Sequence, residues 1–245
     1  MFSYRLTLEY DGSAYKGWQQ QPGQPTVEAV LRAAIAETTS SAAVGLNAAG
    51  RTDAGAHALG QVVSFALECR WSAAELVGAI NARLPEDVVV VTGRRVRADF
   101  HARYSARYRH YRYLISERRQ RLALGRQQVW CLGKGLDLRA MRQAASGLIG
   151  RRDMTSFCSS KAAGDNRVRT LRRLMVRRTR GLVQFDLEAD GFLHGMARSL
   201  VGCLVAVGLH RQPPEWVGEV LALKDRSACA PVVPARGLTL IRVAY

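Results

Sequence analysis

The sequence predicts an α+β protein built of two successive βαββαβ units. Period-two alternations of apolar and polar residues recur along the chain, separated by segments of helical spacing. Both halves show these elements in the same order, and turn residues punctuate them. At 245 residues and 48% apolar content, the chain has enough material for one large core or two modest ones.

In the first half, Tyr4, Leu6, Leu8 and Tyr10 alternate with Arg5, Thr7 and Glu9, the pattern of a strand with one buried face, and Asp11-Gly12 ends it. After a Gly/Pro-rich loop from Gly17 to Pro25, Val27, Val30, Leu31, Ala34 and Ile35 recur at helical spacing, with Thr26 placed as cap. Strands are predicted over Val44 to Ala49 and Gln61 to Leu67, joined by the loop Gly50 to Gly60. The capping box Ser72-Ala73-Ala74-Glu75 opens a second helix carrying Leu76, Val77 and Ile80, and the strand Val88 to Val96 follows.

The second half begins with a strand over Tyr104 to Ile115 and a helix over Asp137 to Ile149, on which Leu138, Met141, Ala145 and Leu148 align. Strands Arg169 to Val176 and Leu182 to Glu188 flank the turn Thr179-Arg180-Gly181 as a hairpin. Helices Phe192 to Gly208 and Pro213 to Leu223 and a strand Leu238 to Ala244 complete the unit. The halves share little sequence, so the duplication is one of order. It implies two ferredoxin-like or RNA-recognition-like units with mainly antiparallel sheets, residues 1–103 and 104–245, meeting at a central basic cleft.

Charge points to the partner. Lys and Arg total 36 against 20 Asp and Glu, for a net charge of +16, and only Lys16, Lys134, Lys161 and Lys224 are lysines, which leaves 32 arginines. A planar guanidinium grips phosphate bidentately and stacks on bases, whereas solubility alone would be served as well by lysine. A polyanion such as nucleic acid is the expected partner. The clusters Arg107, Arg109, Arg112, Arg118, Arg119, Arg121 and Arg169, Arg172, Arg173, Arg177, Arg178, Arg180, with Tyr108, Tyr111 and Tyr113 interleaved, are expected to line the cleft and its rim. Cys69, Cys131, Cys158, Cys203 and Cys229 form no C-x-x-C pair, so neither a disulfide framework nor a zinc site is suggested, and a reducing cytoplasm is the expected location. The N-terminal residues lack the apolar region of a signal peptide. The longest apolar stretch, around Leu200 to Leu209, is too short for a membrane span and reads as a core helix.

The loop Gly50-Arg51-Thr52-Asp53-Ala54-Gly55-Ala56-His57-Ala58-Leu59-Gly60 is dense in glycine, which lets a backbone turn sharply and bulky ligands approach. Arg51, two residues from Asp53, favours the ionised carboxylate that a nucleophile or base requires. An Arg-x-Asp in a loop is otherwise read as a structural turn with a surface ion pair. The histidines His57 and His101 read as structural.

The string Gly50 to Ala58 closely resembles the signature of the tRNA pseudouridine synthase A family. Further matching segments follow in order: Tyr10-Asp11-Gly12, Gly17-Trp18-Gln19, Phe100 to Ala106, Tyr111-Arg112-Tyr113, Asp153 to Phe157, Val168-Arg169-Thr170, Gly191-Phe192-Leu193, Met196-Ala197-Arg198 and Ala230-Pro231 to Tyr245. The resemblance implies the pseudouridine synthase fold and a cofactor-free isomerase that converts uridine to its C-glycoside in the anticodon stem-loop of tRNA, at positions 38 to 40. It also implies a homodimer. It carries the nucleophile's role onto Asp53, a stacking role beside the flipped uracil onto Tyr111, and entry into the RNA stack onto Arg51. Arg198 is the one permanent charge on a helix apolar on nearly every side and needs a partner; the resemblance suggests Asp53. His194-Gly195, Ser199 and Arg152 depart from the family pattern and leave these four positions intact.

Two other readings use the same features. A non-catalytic RNA-binding protein with two RNA-recognition-like units would share composition and fold, yet has no use for a carboxylate that repels phosphate. A base-removing glycosylase would use a similar carboxylate and release free uracil.

Overall fold

The computed structural model describes residues 1–40, 43–68, 70–159 and 166–245; Cys69 and Lys161 lie outside them. It is a mixed α/β protein with ten mainly antiparallel strands and five α-helices among the described residues. These group into two compact units, Met1–Arg107 with Leu240–Tyr245, and Tyr108–Thr239.

The first unit runs β1 (Phe2–Tyr10), α1 (Val27–Thr39), β2 (Val44–Ala48), β3 (His57–Leu67), α2 (Ala73–Asn81) and β4 (Val88–Arg95). In its sheet β4 and β3 flank β1, both antiparallel to it, and β2 pairs with β3. The alternation predicted for β1 is realised: Tyr4, Leu6 and Leu8 are fully buried, as are Leu31 and Ile35 of α1 and Leu76 and Ile80 of α2. Thr26 caps α1 by accepting from the Ala29 amide, and the Ser72–Glu75 capping box is formed at α2. Strand β3 begins at His57, four residues before the alternation predicts. Tyr10 pairs with Ala58, so the chain is already in the sheet there and the connecting loop shortens to residues 49–56.

The second unit runs β5 (Tyr108–Ser116), β6 (Trp130–Cys131), α3 (Leu138–Ser146), β7 (Gly150–Asp153), β8 (Val168–Thr179), β9 (Leu182–Ala189), α4 (Met196–Gly208) and α5 (Trp216–Leu223); β10 (Leu238–Ala244) follows. The sheet order is β5-β9-β8-β7, with β6 parallel to β5. The short strands β6 and β7 interrupt the predicted order. Two- and four-residue strands are too brief for a period-two pattern to register. The β8–β9 hairpin closes through Arg180 and Gly181, both at positive φ (51° and 76°), as a right-twisted two-residue turn requires. Helix α4 starts at Met196 rather than Phe192 because Gly195, at φ 74°, sits left-handed at its N-cap and keeps Phe192–His194 out of the helix. Eleven of its thirteen residues are buried. No helix among the described residues is long and apolar enough to cross a membrane.

Candidate active site

In the first unit, the loop carrying Asp53 is held from below by the motifs flanking β1. The Tyr10 hydroxyl lies 2.8 Å from Thr52 Oγ1, and Gln61 Nε2 donates to the Gly50 carbonyl at 2.7 Å. The Trp18 amide donates to Thr52 O at 3.1 Å, the Gly55 amide to Tyr15 O at 3.2 Å, and the Ala56 amide to Asp53 O at 3.1 Å. Thr52 is therefore fixed on both its side chain and its carbonyl, immediately before the half-buried Asp53.

Two glycines permit this packing. A side chain at Gly12 would collide with the Ala56 carbonyl. One at Gly17, which sits at φ +93°, would come within 2.8 Å of Thr52 O. The Tyr10-Asp11-Gly12 and Gly17-Trp18 segments thus form the seat of the Asp53 loop, a role that their sequence alone did not reveal. Burial is the main cause that pushes the Tyr10 phenol up to about 12, so it stays a neutral hydrogen-bonding group. The Gly12 amide donates to His57 Nδ1 at 3.1 Å, which makes His57 part of this seat. The same nitrogen is 3.1 Å from Asp11 Oδ1. Burial raises the Asp11 pKa, but hydrogen bonds from Ser13 and the His57 contact outweigh it and leave the carboxyl below its ordinary range.

Arg51 is exposed and forms no ion pair among the described residues. The Arg51–Asp53 surface pair of the structural reading is not formed. The loop instead turns Arg51 outward while Thr52 is anchored inward.

In the second unit, Tyr111 on β5 is buried and meets the Phe192 ring edge-to-face at 4.9 Å and 79°. Phe192 was legible only as a motif residue. Its pairing with Tyr111 depends on Gly195 delaying the helix. The half-buried Arg198 donates from Nε to Val233 O at 2.8 Å, and Tyr113 donates to Pro234 O at 2.7 Å. The Tyr113 phenol is pushed up by burial, against which Arg198 and Arg236 act.

The two arginine clusters are not a uniform phosphate track. Arg109 is buried and donates to Asp190 O at 2.6 Å. Arg112 and Arg177 reach the buried Asp186 at 3.0 and 3.4 Å, Arg173 lies 3.7 Å from Glu188, and Arg178 is paired with Glu117 at 2.9 Å. Asp186 also contacts His110 Nε2 at 2.9 Å and accepts from Gln184 at 2.5 Å. Burial raises its pKa, but these hydrogen bonds and Arg112 outweigh that and hold the carboxyl well below the usual range. Residues alternating with the core face of β5, β8 and β9 thus form a network in which buried or half-buried carboxylates hold half-buried or exposed arginines, where the sequence shows only a run of cations expected to line a cleft. Among the described residues no group of three or more His, Cys, Asp and Glu is placed to hold a metal ion.

The family model described as tRNA pseudouridine synthase matches residues 7–105 and 144–245, which include Arg51, Asp53 and Arg198, while Tyr111 falls between the matched stretches. A protein named tRNA pseudouridine synthase A from Methylobacterium sp. (strain 4-46) is 44% identical over 243 residues, 99% of this chain and 97% of that protein. Proteins of the same name from Agrobacterium fabrum (strain C58 / ATCC 33970) and Myxococcus xanthus are 42% and 43% identical, covering 99% and 98% of this chain and 92% and 91% of their own lengths. Motif, matched length and full-chain similarity agree, and the chain belongs to the tRNA pseudouridine synthase family.

Proposed function

We propose that this protein isomerises uridine to pseudouridine in the anticodon stem-loop of tRNA, at positions 38 to 40, with Asp53 as its catalytic carboxylate. The observation that carries this reading is the seating of Asp53: a half-buried carboxylate on a glycine-rich loop whose preceding residue, Thr52, is tied down through Tyr10 and Trp18, while Gln61 holds Gly50. The names of the full-length relatives support the substrate.

The chemistry needs no external group. The N1–C1′ bond breaks, uracil turns within the pocket, C5 joins C1′, and the proton that leaves C5 is balanced by one gained at N1. No electrons are exchanged, so no cofactor is required. The ionised Asp53 serves either as nucleophile at C1′, giving a sugar ester, or as base toward a sugar proton, giving a glycal. Tyr111, braced by Phe192, stacks on the extruded uracil and offsets part of the roughly few kcal/mol needed to unstack it. Arg51, exposed beside Asp53, enters the RNA stack as the target base leaves. For Arg198 we propose the role of counter-ion to the Asp53 carboxylate.

The order β4-β1-β3-β2 with two helices supports a ferredoxin-like reading of the first unit, which carries the catalytic loop. We propose a homodimer in a reducing cytoplasm. Light scattering finding only monomer overturns the dimer. For the activity, the test is incubation of bulk tRNA with the pure protein followed by nucleoside mass spectrometry and site mapping. The expected product is pseudouridine at unchanged mass; released uracil, or unaltered tRNA, contradicts the reading.

A further inference from the structure

Strand β4 is an edge strand of the first unit's sheet, and its end carries Arg94 and Arg95, with Arg97 just beyond. Arg94 lies directly opposite Arg5 on β1, and Arg95 opposite Tyr4. Like charges facing across a strand pair destabilise a sheet. The Arg5 guanidinium lies over aromatic rings, 4.3 Å from the centre of Tyr245 and 5.8 Å from that of Phe100, while Arg95 lies 5.1 Å over Phe2. Burial, and then the neighbouring Arg94, lowers the Arg5 guanidinium pKa, with Tyr245 opposing them.

Little compensates this crowding. Asp99 is bound by Arg97 through Nε at 3.2 Å and Nη2 at 3.1 Å. Among the described residues no carboxylate forms an ion pair with Arg5, Arg94 or Arg95. Beside them opens a cleft of about 500 Å³ bordered by Arg94, Arg95, Arg97, Asp99 and Phe100. A fold that assembles cations against their mutual repulsion, and rests one of them on a pair of neighbouring rings, is prepared for an anion from outside.

The geometry points to a phosphate subsite here, in which Arg94, Arg95 and Arg97 engage the sugar–phosphate backbone of the substrate RNA. This rests on the reading of the chain as acting on tRNA. The open cleft suits successive phosphates of a polymer, and guanidinium groups bind each one bidentately. It touches no base, so it strengthens binding without selecting sequence or assisting chemistry.

The test measures an unmodified tRNA transcript binding to the full-length protein by fluorescence anisotropy across a potassium chloride series. Replacing all three (Arg94→Gln, Arg95→Gln, Arg97→Gln) is expected to lower the salt slope of log affinity by about 1 for each phosphate that is no longer neutralised, and to raise KM with kcat unchanged. Conversion of the three to lysine keeps most of the slope. The single change Arg94→Gln, which relieves the pairing with Arg5, is expected to hold or raise the melting temperature while weakening RNA binding. Wild-type affinity and slope in the glutamine triple variant overturn the subsite. So does aggregation of that variant with RNA binding intact, which assigns the arginines to protection of the sheet edge. If the wild-type protein binds tRNA but makes no pseudouridine, the enzymatic reading fails while the anisotropy still judges the subsite.

Discussion

The hydroxyl of Tyr10 meets Thr52 Oγ1 at 2.8 Å, one residue before Asp53 in the chain. A buried residue of the first strand thereby fixes the height of the loop that carries Asp53. Tyr10→Phe leaves the Thr52 hydroxyl and Gln61 short of a partner, at a cost of about 1–2 kcal/mol. Urea denaturation is expected to show that loss. Turnover should fall more than tRNA affinity, because the variant misplaces the carboxylate proposed to react and leaves the proposed RNA-binding surface alone.

Alkaline pH probes the same group. The Tyr10 pKa is raised to about 12 by burial, above the tyrosine value of about 10 in an unfolded chain. The stability from its neutral form is complete below pH ~10 and is lost as pH rises from there through ~12. Tyr15 and Tyr113, also raised by burial, add to this loss. Thermal melts at increasing pH should fall in this window, and less steeply in Tyr10→Phe.

Gly12→Ala places a methyl group against the Ala56 backbone carbonyl, which no side-chain rotation can relieve. We expect a loss of about 2 kcal/mol or more, together with a sharp drop in turnover, as the Asp53 loop is lifted from its seat. Wild-type melting and rate in this variant would contradict the buttressing role.

Asp186 is the shared counterion of Arg112 and Arg177 and hydrogen-bonds His110 on one face of the second unit's sheet. Asp186→Asn leaves those cations without their shared counterion, and a loss of about 3 kcal/mol is expected by denaturation. The folded-state pKa of Asp186 is depressed, so its contribution is present above the unfolded carboxylate value near ~4 and is lost as pH falls below it. Acid unfolding should be correspondingly shallower in the variant.

Cys203 and Cys229 lie with their sulfurs 3.2 Å apart. The hydrogen bond between them raises the buried Cys203 thiol and lowers Cys229, which is partly exposed and near Arg226. Cys229 is therefore expected to alkylate before Cys203 at neutral pH, as peptide mass spectrometry after brief iodoacetamide treatment can determine. Cys203→Ser should slow that labelling.

Much of the fold was legible because its signals are local. The alternation of Tyr4 to Tyr10, the caps Thr26 and Ser72, and the turn at Arg180-Gly181 each fix an element through nearby residues. What stayed hidden depends on tertiary packing. Nothing in Tyr10 announces a bond to Thr52, 42 residues away, and nothing in Arg112 announces Asp186, 74 residues away. The helix start moved because one residue, Gly195, adopts a left-handed conformation that apolar periodicity does not encode. The candidate nucleophile was identified by the length of its motif, whereas Phe192 beside Tyr111 emerged only from the packing.

The most direct measurement compares Asp53→Asn with the unaltered protein on an unmodified tRNA transcript, following pseudouridine formation and binding in parallel. Asparagine is nearly isosteric yet lacks the negative oxygen that attack at C1′ and removal of a sugar proton both demand. If Asp53 is the reacting carboxylate, product falls below detection while tRNA affinity holds within about threefold, a change under ~1 kcal/mol. Pseudouridine formed by the variant at the normal rate would contradict it.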